Sequence, residues 1–305
     1  MARTRRTAGL DPETRFEDIY REIAVYEFPW DMNQSLSFAL FRTYAVPSIG
    51  RLLFETGEFT ERVQKRYDDT ALLLEAPFSR GLDSAPGRQA IRRINQMHRM
   101  YDISNDDMRY VLATFVVVPV RWIQAYGWRT LDAAEVLATV RYYEALGRRM
   151  GIRDIPHTYG DFARLLDDYE AAEFAFDRGA RAVADSTLRL FATFYPGVPE
   201  PIARTAAQAL MDPALLGAFH YPEPGARVRR LVEGGLRARS AVVARLPRRR
   251  RPKTTESLHR IRSYSGGAEL TAMGTFAPGC PVHAGRPGGE RSPERSGERS
   301  GEPVG

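Results

Sequence analysis

Apolar residues recur along most of this chain at intervals of three and four, the spacing that gathers side chains on one face of a helix. Phe16, Ile19, Tyr20 and Ile23 form the first such stripe. Met32–Tyr44 is amphipathic and stops near Pro47, and Thr60–Leu74 follows with apolar Val63, Tyr67 and Leu74. Pro86 suits the first turn of a helix that runs to about Tyr101. Ser104, followed by Asp106 and Asp107, reads as an N-cap with an acidic first turn. It predicts a helix through Tyr110–Gly127, kinked at Pro119. Leu131–Met150 ends at Gly151, a C-terminal glycine, and Thr158–Phe176, Ala180–Phe194, Glu200–Met211 and Ala226–Arg245 complete the set. No stretch alternates with the period of a strand, there is no long internal repeat, and GxGxxG and GxxxxGK[ST] are absent. The expected fold class is all-α, and a βαβ fold is disfavoured.

The pattern breaks at Pro247. Residues 1–247 read as one helical domain and 248–305 as a basic tail rich in Gly, Pro, Ser and Glu. Arg248–Arg251, Pro252 and Lys253 look like a linker or surface arm, and Glu290–Glu302, which contains ERSGERSGE, is expected to be disordered. Between them, Arg262–Phe276 (RSYSGGAELTAMGTF) has enough apolar residues to fold back onto the domain.

Composition refines this picture. The chain has 305 residues, of which 43% are hydrophobic, enough for a substantial core. The tail carries 11 Lys or Arg against 6 Asp or Glu, so it holds most of the net charge of +6 and the domain is nearly neutral. That confinement, without interleaved aromatics, argues against nucleic acid as a partner. The one cysteine, Cys280, allows no intrachain disulfide and no cysteine cluster for zinc or iron–sulfur. The polar stretch Asp11–Asp18 falls where a signal peptide would need its apolar segment. The longest apolar run, Val111–Val120, is about half a membrane span. The expectation is a cytoplasmic protein without a transmembrane segment, with peripheral membrane contact left open. Oligomeric state is not legible.

Of the five histidines only His98 lies inside a strongly patterned helix. Ile91, Ile94, His98 and Tyr101 share one stripe, which aims His98 at the core. No second ligand stands in HxxxH or HxxE spacing, so zinc or di-iron is poorly supplied. Two readings stay open: a core histidine bonded to backbone, or an axial ligand to haem, whose porphyrin supplies four ligands. Arg66 and Thr70, four apart, share a helix face that continues into Leu73 and Leu74. They either line a pocket or form a solvated helix edge with Arg66 paired to Asp69 or Glu61. The segment Arg121, Trp122, Trp128 and Arg129 is either packing at a helix end or an aromatic wall for a porphyrin. Asp106-Asp107 and Asp167-Asp168 do not read as catalytic pairs, the first being first-turn residues and the second pointing apart on a helix.

Four segments together carry a resemblance: YEFPWDMNQSLSFALFRTYAVPSIGRLL, QKRYDDTALLL, INQMHRMYDISNDDMRYVLATFVVVPVRWIQAYGWR and YYEALGRRMGI. They resemble the MpaB family, whose namesakes are fungal membrane-bound oxygenases and which shares a catalytic domain with rubber oxygenase. The similarity covers about Tyr26–Ile152 and returns at Arg262–Phe276, which is similar to the family's C-terminal YPxGY…LGTF element. The resemblance implies a globin-like multi-helix domain that encloses haem b, with O2 as co-substrate. It maps the axial iron ligand onto His98 and the Arg and Thr of the haem pocket onto Arg66 and Thr70, as groups for oxygen or a propionate. It adds Arg121, in the PxRW segment, as a further cofactor-binding candidate. The implied reaction is oxidative cleavage of a C=C bond in an apolar, isoprenoid-type substrate. Rubber oxygenase has a lysine just before that threonine, where this chain has Asp69, so lysine closure of the iron does not carry over. The competing classes are a haem- or lipophile-binding carrier, and a helical interaction protein whose basic tail binds nucleic acid or membrane.

Overall fold

In a computed structural model, residues 6–255, 260–264 and 269–275 are described, and among them there is no strand. The order is α1 (Phe16–Arg21), a π-helical turn (Glu22–Glu27), α2 (Pro29–Thr43), α3 (Pro47–Glu55), α4 (Glu58–Glu61), α5 (Val63–Arg80) and α6 (Ala85–His98). It continues with α7 (Asn105–Tyr126), α8 (Ala133–Arg149), α9 (Tyr159–Glu173), α10 (Arg178–Ala192), α11 (Glu200–Ala209), α12 (Pro213–Ala218) and α13 (Ala226–Arg245).

The caps explain where these helices begin. Ser84, Ser104, Thr158, Asp177 and Asp212 each accept a hydrogen bond from a backbone N–H in the first turn of the helix that follows. Asp132 and Glu135 form a reciprocal capping box ahead of α8. α2 stops at Thr43, short of Pro47 as expected, and Pro47 opens α3, where its missing N–H is no loss. Two expectations need correction. α5 continues past Leu74 and through Pro77 to Arg80. α6 stops at His98, so Tyr101 lies beyond its last turn.

α7 is the centre of the packing. It lies against α2, α8, α9 and α13, and its interior run from Leu112 to Val117 is buried throughout. α7 continues through the buried Pro119 to Tyr126. The main core gathers Phe28, Tyr110, Val116, Ile123, Tyr142 and Phe162 from α2, α7, α8 and α9 and their flanks. A second cluster joins Phe41 of α2 and Phe59 of α4 to α10, α11 and α12, with Leu53 of α3 packed against it. A third joins α5 and α6 to the C-terminal segment through Leu73, Ile94, Met97 and the fully buried Met273.

That third cluster takes in residues beyond Pro247, among them Ile261, Tyr264 and Met273. The compact unit runs from Met1 to Gly274. The chain beyond α13 returns over α5 and α6, where Arg93 Nε donates to the Met273 carbonyl at 2.7 Å. The expected disordered run Glu290–Glu302, together with Cys280, His259 and His283, lies outside the described residues.

α3 and α10 approach closely because Gly50 has no side chain. A Cβ there would sit 2.3 Å from the Tyr44 carbonyl oxygen and 2.5 Å from Ala180 Cβ, so backbone would have to move. Gly234 in α13 has nothing within 4 Å of its absent Cβ. The two glycines therefore predict opposite signs. Gly50→Ala should destabilise by about 2–3 kcal/mol, and Gly234→Ala should stabilise by about 0.5–1 kcal/mol, both read from urea midpoints.

Candidate functional site

Five elements close around one cavity in the compact unit. α2 contributes Leu40; α5 contributes Arg66, Thr70, Leu73 and Leu74; α6 contributes Ile94, Met97 and His98. α7 adds Met108, Val111, Leu112 and Phe115, and the end of α8 and its exit add Leu146, Met150 and Ile152. On α5 and α7 alike the lining residues fall at i, i+4, i+7 or i, i+3, i+4, i+7, so each helix offers one face. The cavity itself has a volume of about 110 Å³ and adjoins space open to solvent, so it is smaller than the about 300–1,000 Å³ usual for cofactor and ligand pockets. Its wall is apolar apart from three side chains, and these are His98, Arg66 and Thr70. His98 and the pair Arg66 and Thr70 thus meet at one place.

His98 occupies the last position of α6, with Ile91 and Ile94 buried one and two turns before it. Its Nδ1 is buried and has no hydrogen-bond partner among the described residues. A helix C-terminus ordinarily favours a cation. Burial outweighs this, and with the charge of Arg66 as the second cause it pushes His98 from 6.5 down to about 4. The ring is therefore neutral at physiological pH and keeps a nitrogen lone pair available. The acceptor expected to fix the ring's second nitrogen is not found at Nδ1.

Arg66 does not pair with Asp69 or Glu61. Its guanidinium lies 5.1 Å from the centroid of the Phe59 ring, and among the described residues it has no ion pair. A half-buried cation on an apolar wall lacks a counter-charge. Thr70 donates its hydroxyl proton to the Arg66 carbonyl at 2.8 Å, one turn back on α5. Its oxygen lone pairs remain free to accept, and the hydroxyl can donate into the cavity only by turning away from that bond.

Two acids of α5, between Arg66 and Thr70 in the chain, have partners that sequence reasoning did not place. Asp68 and Asp69 are almost completely buried. Asp68 accepts from Gln64 Nε2 at 2.8 Å and from the backbone N–H groups of Arg262 and Ser263 at 3.1 and 2.8 Å. Asp69 pairs with Lys65, accepts from the Tyr264 hydroxyl, and accepts from the Gly274 N–H at 3.0 Å. Asp69 thus anchors the returning C-terminal segment and is not part of the cavity wall. Lys65 at i−4 was the only local signal of this role.

Arg121 is not brought to the cavity. It forms a bidentate pair with Asp167 at 2.8 and 2.7 Å, and both side chains are about half exposed. α7 turns Arg121 toward α9 while Val111, Leu112 and Phe115 face the cavity. Trp122 donates to Asp31 at 3.3 Å and Trp128 to the Glu27 carbonyl at 3.1 Å, so these indoles serve packing rather than the cavity wall. His157 contacts Glu144 at 2.6 Å, and His220 stacks on Phe176 at 4.0 Å. Among the described residues no group of three or more His, Cys, Asp or Glu is placed to hold a metal ion. No described helix is long and apolar enough to cross a membrane.

The family described as ER-bound oxygenase mpaB/B'/Rubber oxygenase, catalytic domain, matches residues 34–245, which include α5, α6, α7 and α8. ER-bound oxygenase mpaB' of Penicillium brevicompactum is 34% identical over 227 residues, covering 68% of this chain and 54% of that protein. ER-bound oxygenase mpaB of Penicillium roqueforti (strain FM164) is 31% identical over 234 residues, covering 71% of this chain and 78% of that protein. The chain thus spans about half the length of one of these relatives and more of the other. On the extent of the match and the level of identity, the chain belongs to the MpaB/rubber oxygenase catalytic-domain family.

Proposed function

We propose that this protein is a haem-b-dependent oxygenase that cleaves a C=C bond in an apolar, isoprenoid-type substrate, using O2 and giving two carbonyl fragments. The observation that carries the reading is the buried, unpartnered Nδ1 of a neutral histidine on the wall of an apolar cavity. Native proteins rarely leave a buried ring nitrogen unsatisfied, and a metal is one way to complete it. A lone imidazole suits a metal that brings its other ligands, and a porphyrin brings four.

The chemistry of the rest of the wall suits the same group, although the cavity of about 110 Å³ would have to widen to admit it. Haem b is a flat apolar ring with carboxylates on one edge, so it needs greasy walls and a cation. Leu73, Ile94, Leu112, Phe115 and Met150 are such walls, and Arg66 is an uncompensated cation beside them. When bound, haem supplies the iron that activates O2 toward the double bond. His98 holds the iron. Its low proton affinity keeps the proton from competing for the ligating lone pair. Arg66 offers a fixed positive charge, either to a propionate or to negative charge that develops on oxygen. Thr70 serves as an acceptor in its present rotamer and as a donor once it turns from the Arg66 carbonyl. The aliphatic wall excludes water and holds an alkene without offering it a hydrogen bond. Each carbonyl product takes one oxygen atom, which balances the cleavage of one C=C bond by one O2.

The names of the relatives support an oxygenase, and a carrier with the same cavity is separated from it by product formation. Purified, haem-loaded protein should show a Soret band that shifts on reduction. With a prenylated substrate under labelled O2 it should form carbonyl products that carry the label. A pigmented protein that forms no product with any prenylated substrate would favour the carrier.

Two variants test the residue roles. His98→Ala should lose the haem spectrum while it keeps helical circular dichroism; normal haem content and turnover would remove the ligand assignment. Thr70→Val should keep haem and lower turnover by about tenfold or more if its hydroxyl acts on oxygen, and unchanged turnover would leave Thr70 a packing residue. The pH dependence follows from the direction of the His98 shift. Its folded-state value lies below the ordinary one, so haem retention through His98 should hold from neutrality to about pH 5 and fall as pH approaches about 4. Arg66→Gln removes the second cause of the shift and should move that loss to higher pH, as followed by Soret absorbance.

A further inference from the structure

α13 has two faces with different tasks. One face is committed to the protein. Leu236 packs against the main core, Ser240 donates to the Tyr126 carbonyl, and Arg229 donates to the Met211 carbonyl at 3.1 Å. Arg239 pairs with Asp31 at 3.1 Å and lies 3.7 Å from the centroid of the Trp30 ring. The other face has no partner among the described residues. Val228, Leu231, Val242 and Leu246 are 37%, 77%, 59% and 52% exposed. With Gly235 and Ala238, also exposed, they fall at spacings of three and four, so they form one apolar stripe along the helix.

The flank of this stripe is cationic. Arg227, Arg230, Arg237 and Arg245 are exposed on α13, and Arg249, Arg250, Arg251 and Lys253 are exposed just beyond it. The helix has one carboxylate, Glu233, which is half-buried and pairs with Arg237 at 3.4 Å. Lys253 is held below its ordinary value, first by burial and then by Arg249, Arg260 and Arg239, which marks an excess of positive charge there.

We infer that α13 and the arm after it form a docking surface for an anionic phospholipid bilayer, with the helix lying in the plane of the headgroups. An aliphatic stripe flanked by arginines is the pattern of an interfacial helix: the side chains enter the acyl boundary and the guanidinium groups meet lipid phosphates. A second copy of the chain fits less well, because pairing the stripes would bring arginine against arginine with no free carboxylate to answer them. A protein groove fits less well because the stripe has no aromatic anchor. Nucleic acid does not need the aliphatic side chains and lacks the aromatic platforms it would use. The inference does not depend on haem or on the cavity.

The test is co-sedimentation of the full chain with unilamellar vesicles of phosphatidylcholine alone or mixed with phosphatidylserine. The protein should bind the mixed vesicles, bind phosphatidylcholine weakly, and release as salt rises. The double variant Leu231→Glu/Val242→Glu should bind the mixed vesicles about tenfold or more weakly. Its rest of chain is unchanged, including the basic residues after α13. Both positions are exposed and glutamate is a good helix former, so circular dichroism and thermal midpoint should match the parent. Arg227→Glu/Arg230→Glu/Arg245→Glu should lose the preference for phosphatidylserine. Vesicle binding by the parent that the Leu231/Val242 variant retains in full would overturn the assignment, as would no binding by the parent. So would a parent dimer in gel filtration that the same variant converts to monomer.

Discussion

Two carboxylates buried side by side on α5 constrain this structure more than any other pair of groups. Ionised carboxylates out of water need several donors each. Asp68 and Asp69 find them in Gln64, Lys65 and Tyr264 and in three backbone N–H groups of the C-terminal segment. These bonds tie Arg262, Ser263, Tyr264 and Gly274 to α5, and Met273 packs in the cluster with Leu73, Ile94 and Met97. α5 is held by this contact while Arg66 and Thr70 meet the cavity. A chain ending at Pro247 would leave both carboxylates short of donors.

The cavity exists because the helices that surround it are held apart by what they pack against elsewhere. α7 is fixed by α2, α9 and α13, and α5 and α6 by each other and by the returning segment. The polar residues of the wall then inherit an environment that none of them would have on an isolated helix. His98 becomes a neutral base through burial, and Arg66 a cation without an acid. An imidazole and a guanidinium that face the same apolar space without partners of their own suit a ligand with complementary groups better than they suit a finished core.

The outer face of α13 obeys the opposite logic. Its apolar residues gain nothing from the fold, because the helix buries only the stripe of Leu236 and Ser240. Their exposure beside arginines is a property of the surface and is independent of the cavity chemistry. An apolar substrate dissolved in a bilayer would nonetheless meet the protein at such a face, which gives the two halves of the structure a common physical setting.

The helices were legible in the sequence because the period of the apolar residues and the caps Ser84, Ser104 and Asp132 are local properties. The inward aim of His98 was legible for the same reason: Ile91 and Ile94 share its stripe. Arg66 and Thr70 could be placed on one face by their spacing, but spacing does not say whether that face meets solvent or a cavity. Arg121 shows the limit from the other side. It stands in a segment rich in aromatic residues, yet the turn of α7 directs it to Asp167 on α9. The buried partners of Asp69 were beyond reach because Tyr264 and Gly274 lie about two hundred positions away along the chain. What the sequence alone determined is periodic and short-range: an all-helical chain, one inward histidine, and a face with a cation and a hydroxyl. The tertiary structure alone decided that these three side chains border the same space and that Arg66 is left unpaired, because pairing and burial depend on which distant helices arrive beside each group.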